Sequence, residues 1–149
     1  MVNEDKKIEI IVAQWQTCVE MANSISQRRD TMNNIFITLN LAILASVSFS
    51  WDIKSILVLC AGIVICILWI FFIRNYKLLN REKFNVINEL ERKLPARPFM
   101  DEWKRLQKNK QYTDSTVLES VLPSMFMILY LIVIAVTIII RICEKGGIV

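Results

Sequence analysis

The sequence predicts an all-α membrane protein with three transmembrane helices, a long N-terminal amphipathic helix and a cytoplasmic helical hairpin. Three observations predict it. The 149-residue chain is 54% hydrophobic, with a mean hydropathy of +0.42. Its apolar residues collect in charge-free runs at 31–51, 55–73 and 120–140, each near the length of about 20 residues that a bilayer-crossing helix needs. The segments between these runs are charged and helically spaced, and neither a strand alternation nor a repeat is visible.

Residues 1–30 are read as a cytoplasmic amphipathic helix. Ile8, Ile11, Trp15, Cys18, Ala22 and Ile25 recur at alternating steps of three and four, a heptad stripe with no Pro or Gly within it. Such a stripe packs either on the chain's own cytoplasmic helices or as a seam between copies in an oligomer. A lipid-surface role is disfavoured because the polar face is not rich in Lys or Arg. No stop signal separates this segment from the next, so residues 5 to 50 are expected to form one helix.

Transmembrane helix 1, residues 31–51, sets nine Leu, Ile, Val or Phe residues against Asn33, Asn34, Asn40 and several hydroxyls. At 100° per residue, Asn34, Thr38, Ala42 and Ala45 fall within about 80°, with Ser46 at the margin. Asn33 and Asn40 form a separate amide face. An unpaired amide in hydrocarbon costs roughly 4–8 kcal/mol, so both faces are expected to be buried by other helices or wet. Asn34, Thr38, Asn40 and Ser46 are therefore candidate pore-lining or inter-helix polar residues. Small residues also permit close helix packing without any pore. One copy with three spans cannot enclose a lumen, so a water path requires an oligomer.

Trp51 and Asp52 are expected at the outer interface, followed by a tight turn through Lys54. Transmembrane helix 2, residues 55–73, and transmembrane helix 3, residues 120–140, each carry 13 Leu, Ile, Val or Phe residues. Each such residue favours insertion by about 0.3–0.6 kcal/mol. Trp69 and Tyr76 are expected to bracket the inner end of the second span. Between these spans lies a basic cytoplasmic helical region, residues 74–119. Tyr76, Leu79, Val86, Ile87, Leu90 and Leu94 are read as its apolar stripe, which Pro95 and Pro98 terminate. A short helix from Phe99 to about Lys108 completes the hairpin. Thr116 and Glu119 have the capping-box spacing before the third span. Pro123 is placed to bend that span, and residues 141–149 form an extracytoplasmic tail.

Orientation follows from the basic residues. Segments 1–30, 52–54, 74–119 and 141–149 carry net charges of −1, 0, +4 and +1. Eight Lys and Arg residues of 74–119 lie close to the ends of the second and third spans, which places that region and the N-terminus on the cytoplasmic side of the membrane. Arg92, Lys93, Arg97, Lys104 and Arg105 are candidate anion or nucleotide contacts, although attraction to anionic membrane lipid explains the same charge and no Gly-rich phosphate loop accompanies them. The chain has no histidine, which removes His-based metal sites and Ser-His triads. Its four cysteines read as small packing residues. No cofactor, metal site or enzymatic activity is expected.

The block from Tyr76-Lys-Leu-Leu79-Asn80 through Glu89-Leu90-Glu91 and Pro95-Ala-Arg-Pro98-Phe99 to Glu102-Trp103 resembles the cytoplasmic signature of the RipA-like family. These are small bacterial membrane proteins described as oligomers, with eight as the suggested copy number. The resemblance spans about 28 residues and implies assembly in the inner membrane, with no catalytic residue. In layout and basic charge the chain is also similar to the short multi-span effectors of anti-phage systems such as Hailong, which answer nucleotide signals. Together these readings point to a homo-oligomeric, regulated, ion-permeable effector. Membrane lipid and further copies are its expected partners, and a cytoplasmic nucleotide, oligonucleotide or protein its regulator. The alternative is a non-conducting oligomeric scaffold.

Overall fold

The computed structural model of the chain describes residues 4–48, 53–111 and 113–145, nearly all of them in helices. Helix α1 runs Glu4–Ser48, α2 Ile53–Glu91, α3 Pro98–Lys108 and α4 Ser115–Lys145. The all-helical expectation and the long N-terminal helix both hold. No strand occurs among the described residues. The expected interfacial Trp51, the turn at Asp52 and the last residues of the tail lie outside the described residues.

Among the described residues two helices, rather than three, are long and apolar enough by themselves to cross a membrane: the parts of α2 and α4 spanning Ser55–Glu91 and Ser115–Glu144. The run 31–48 falls short because Asn33, Asn34, Asn40, Thr38 and Ser46 dilute its apolar content. The chain divides into two compact units, Met1–Asp30 with Arg74–Asp114, and Thr31–Ile73 with Ser115–Val149.

The second unit packs α1 from Thr31, α2 up to Ile73, and α4 around a core of Phe36, Val47, Leu59, Cys66, Trp69, Ile73 and Tyr130. Phe36 stacks on Trp69 with ring centroids 5.5 Å apart and planes 7° from parallel. Trp69 is thus buried rather than displayed to a lipid interface as the sequence suggested, because Phe36 and Phe126 enclose its ring and Asn33 takes its N–H. Pro123 lies inside α4. Nearby, Ser120 and Ser124 return their hydroxyls to the carbonyls of Thr116 and Ser120, four residues back. Helix α4 begins one residue ahead of Thr116, which therefore sits in its first turn rather than at its cap.

In the first unit, Tyr76, Ile87, Leu90 and Leu94 of the expected stripe are buried or half-buried, but two of its members are not and other residues join it. Leu79 and Val86 are exposed, whereas Ile87 and Glu91 are fully buried and Tyr76, Asn80 and Phe84 half-buried. The spacing 76, 80, 84, 87, 91 follows the helical period at least as well as the purely apolar set. It escaped notice because it includes an amide and a carboxylate. Phe99 of α3 meets Phe84 edge-on at 5.8 Å and Trp15 of α1 at 5.9 Å.

Candidate functional site

Asn40 is the centre of the polar arrangement in the second unit, and it is completely buried. Its side-chain amide donates to the Phe36 carbonyl one turn back, at 2.7 Å. Its Oδ1 accepts from the Tyr130 hydroxyl of α4 at 2.7 Å and from the Cys66 thiol of α2 at 3.2 Å. The same Tyr130 hydroxyl also lies 3.2 Å from the Asn40 carbonyl. Two turns earlier, Asn33 Oδ1 accepts the Trp69 indole N–H at 2.8 Å. One amide face of α1 is therefore satisfied by the chain's own α2 and α4. The sequence reading asked that this face be buried or wet, and packing against the other apolar helices was one of its alternatives. A fully packed trio of helices supplies the donors locally, and polar contacts between membrane helices are made wherever a partner is in reach.

Gly62 makes this geometry possible. A Cβ there would stand 2.7 Å from Cε2 and 2.8 Å from Cζ of Tyr130, so only glycine lets the ring lie flat against α2 with its hydroxyl on Asn40.

The opposite side of the same segment is open. Asn34, Thr38, Ala42, Ala45 and Ser46 are all exposed, and Thr31, Asn34, Ile35, Thr38 and Leu39 line a shallow groove along it. The Thr38 hydroxyl donates to the Asn34 carbonyl at 2.8 Å and that of Ser46 to the Ile43 carbonyl at 2.8 Å. Of the four polar residues singled out in the first run, three therefore share one open face and Asn40 lies behind them. The buried side of α1 centres on Asn40, so the open face points away from α2 and α4.

The heptad stripe turns toward its own chain. Ala22 is buried, Ile11, Trp15, Cys18 and Ile25 are half-buried, and Ile8 is exposed. The cations Arg92, Lys93, Arg97, Lys104 and Arg105 are exposed. Lys104 is 3.8 Å from Asp101 on its own helix, and the groove beside Arg105 also carries Asp101 and Glu102. Around Lys104 and Arg105 the surface therefore carries both signs of charge.

Sequence reasoning missed Tyr130, Cys66, Trp69, Gly62 and Glu91. One signal was available: Tyr130 is the sole tyrosine in the third apolar run, and a buried phenol needs a partner. The four cysteines are free thiols, and Cys66 is a hydrogen-bond donor as well as a packing residue.

No curated protein and no solved structure matches the chain. Residues 12–139 match the model of the octameric membrane protein family (8xMP). That match takes in α1 from its third turn, α2, α3 and most of α4, and it agrees with the apolar, outward-facing surfaces of α2 and α4; this chain belongs to the octameric membrane protein family.

Proposed function

We propose that the chain is the subunit of a homo-octamer in the bacterial inner membrane, with its N-terminus and residues 74–119 cytoplasmic, and that the octamer passes ions along an axis lined by α1. In this reading residues 31–48 cross the bilayer in the company of α2 and α4. Their contacts support it: Asn33 meets Trp69, Asn40 meets Cys66 and Tyr130, and Val47 belongs to the cluster of Leu59. Those meetings are spread along the whole segment, so α1 accompanies both apolar helices through their depth.

One observation carries the proposal. The open face of α1 bears Asn34, whose side-chain amide has no hydrogen-bond partner among the described residues, beside Thr38 and Ala42. Such a face is costly against acyl chains and needs protein or water. Geometry favours water at the axis. Eight helices in a ring at about 9 Å spacing lie on a circle of about 12 Å radius. Subtracting a helix half-width of about 5 Å leaves an opening of about 14 Å.

A scaffold that does not conduct is the second reading. It is favoured by the Thr38 and Ser46 hydroxyls, which are already satisfied by carbonyls of their own helix and so require no water. Combined Asn34→Leu, Thr38→Leu and Ser46→Leu substitution distinguishes the two. In liposomes the triple variant is expected to lose at least tenfold of the ion flux while its particle in mild detergent keeps eight copies. Flux equal to that of the unsubstituted protein sinks the conduction reading. An eight-copy unsubstituted particle that passes no ions leaves the scaffold.

A further inference from the structure

We propose that adjacent copies meet through the two flanks of the open face of α1, Leu41 of one copy against Leu39 of the next, while the strip Thr31, Thr38 and Ala42 between them turns to the axis. The inference rests on the octamer proposed above and names the partner of its open face as a second copy of this chain.

Symmetry limits the choices first. The charge bias inserts every copy the same way, so the rotation axis of a closed octamer stands along the membrane normal. Each contact in such a ring is heterologous, one face of a copy meeting a different face of its neighbour. The small strip cannot pair with itself, because that contact is isologous and ends at a dimer.

Angles then select the flanks. In a ring of eight, the directions from one helix to its two neighbours diverge by about 135°, with the axis direction between them. Leu39 and Leu41 are both exposed, at 44% and 55%, and stand about 160° apart at 100° per residue. Thr31, Thr38 and Ala42 lie within about 20° of the midpoint of that arc, and Asn40 faces directly away from it. The two leucines differ by only about 3 Å along the helix, so they meet at nearly one level without any stagger between copies. Packing α1 this way sets the side of Asn40, and with it α2 and α4, toward the periphery. Their exposed residues suit lipid: Leu57, Val64 and Phe71 on α2, and Met125, Ile132 and Ile139 on α4, are all large and apolar. Asn34 lies about 20° from Leu41 and Ser46 about 20° from Leu39, each on the axial side of its leucine, so both exposed polar side chains stand where the contact between copies opens onto the axis.

Cross-linking in membranes tests it. With Cys18, Cys60 and Cys143 replaced by serine and the buried Cys66 retained, the pair Leu39→Cys and Leu41→Cys is expected to give a ladder of species up to eight copies on oxidation. Thr38→Cys alone is expected to give none. An eight-copy particle without a ladder, or a dimer from Thr38→Cys alone, overturns the flank contact and leaves the octamer standing. An unsubstituted particle of another copy number fails the octamer itself. Leu41→Trp guards against a cysteine pair that disturbs folding. Leu41 is 55% exposed in the protomer, and this variant is expected to lower the fraction of eight-copy particles at least fivefold; an unchanged distribution also overturns the contact.

Discussion

Asn40 joins three helices through a single oxygen. That Oδ1 receives a phenol and a thiol, and the amide N–H is held by the carbonyl of Phe36. Both the oxygen and the nitrogen of this buried amide are therefore occupied, which is the condition under which a buried polar group is tolerable. Removing the phenol leaves Oδ1 with the weaker thiol donor alone. Tyr130→Phe is therefore expected to lower protomer stability by about 1–2 kcal/mol, within the range for a lost interhelical hydrogen bond, and to keep the ring stacked over Gly62. Reversible unfolding in detergent measures this, and an unmoved midpoint would show that the hydroxyl contributes nothing. The amides at 33 and 40 were visible in the sequence as a separate face. Their partners were not, because Tyr130 stands 90 positions from Asn40 and no local spacing links the two.

At the scale of elements, α3 depends on a residue outside itself. Arg97 occupies its N-cap position without a side-chain cap, and Pro98 opens the first turn. The missing acceptor comes from α2, where both oxygens of the buried Glu91 carboxylate receive the N–H groups of Phe99 and Met100 at 3.1 Å. A negative group at a helix N-terminus also opposes the helix dipole favourably. Glu91→Ala removes both acceptors and is expected to cost about 1–3 kcal/mol for the buried donors left behind. Hydrogen exchange should then show residues 98–108 losing protection while α4 keeps its own. Unchanged protection there would mean that the ring contacts of Phe99 hold α3 alone. The helix ends were largely legible: Pro95 and Pro98 announce the break before α3, and the structure breaks there. The role of Glu91 was not legible, because a carboxylate on an amphipathic helix is ordinarily solvated. Only the chain reversal at 92–97 brings the N–H groups of α3 to it.

Across the whole molecule, α1 serves both compact units, and its two segments face different tasks. Residues 31–48 divide cleanly into a side spent on α2 and α4 and a side left open. Residues 4–30 carry a heptad stripe whose spacing alone fitted either self-association or packing within the chain. Periodicity reports which side of a helix is apolar and says nothing about whose surface covers it. Here Trp15 lies against Phe99 and Ala22 is buried within a single copy, which favours the intramolecular use. The paired substitution Ile11→Glu and Trp15→Glu separates the two uses, because each places charge where apolar contact is made. If the stripe serves its own chain, protection from exchange falls across residues 74–111, by tenfold or more near Ile87 and Phe99, and the detergent particle keeps its copy number. If the particle instead falls apart while that region stays protected, the stripe is a seam between copies and Trp15 contributes little to the fold of its own unit. The first outcome is expected, since a half-buried indole packed on a phenyl ring is lost at once when a carboxylate replaces it, whereas the open face of α1 remains available for assembly.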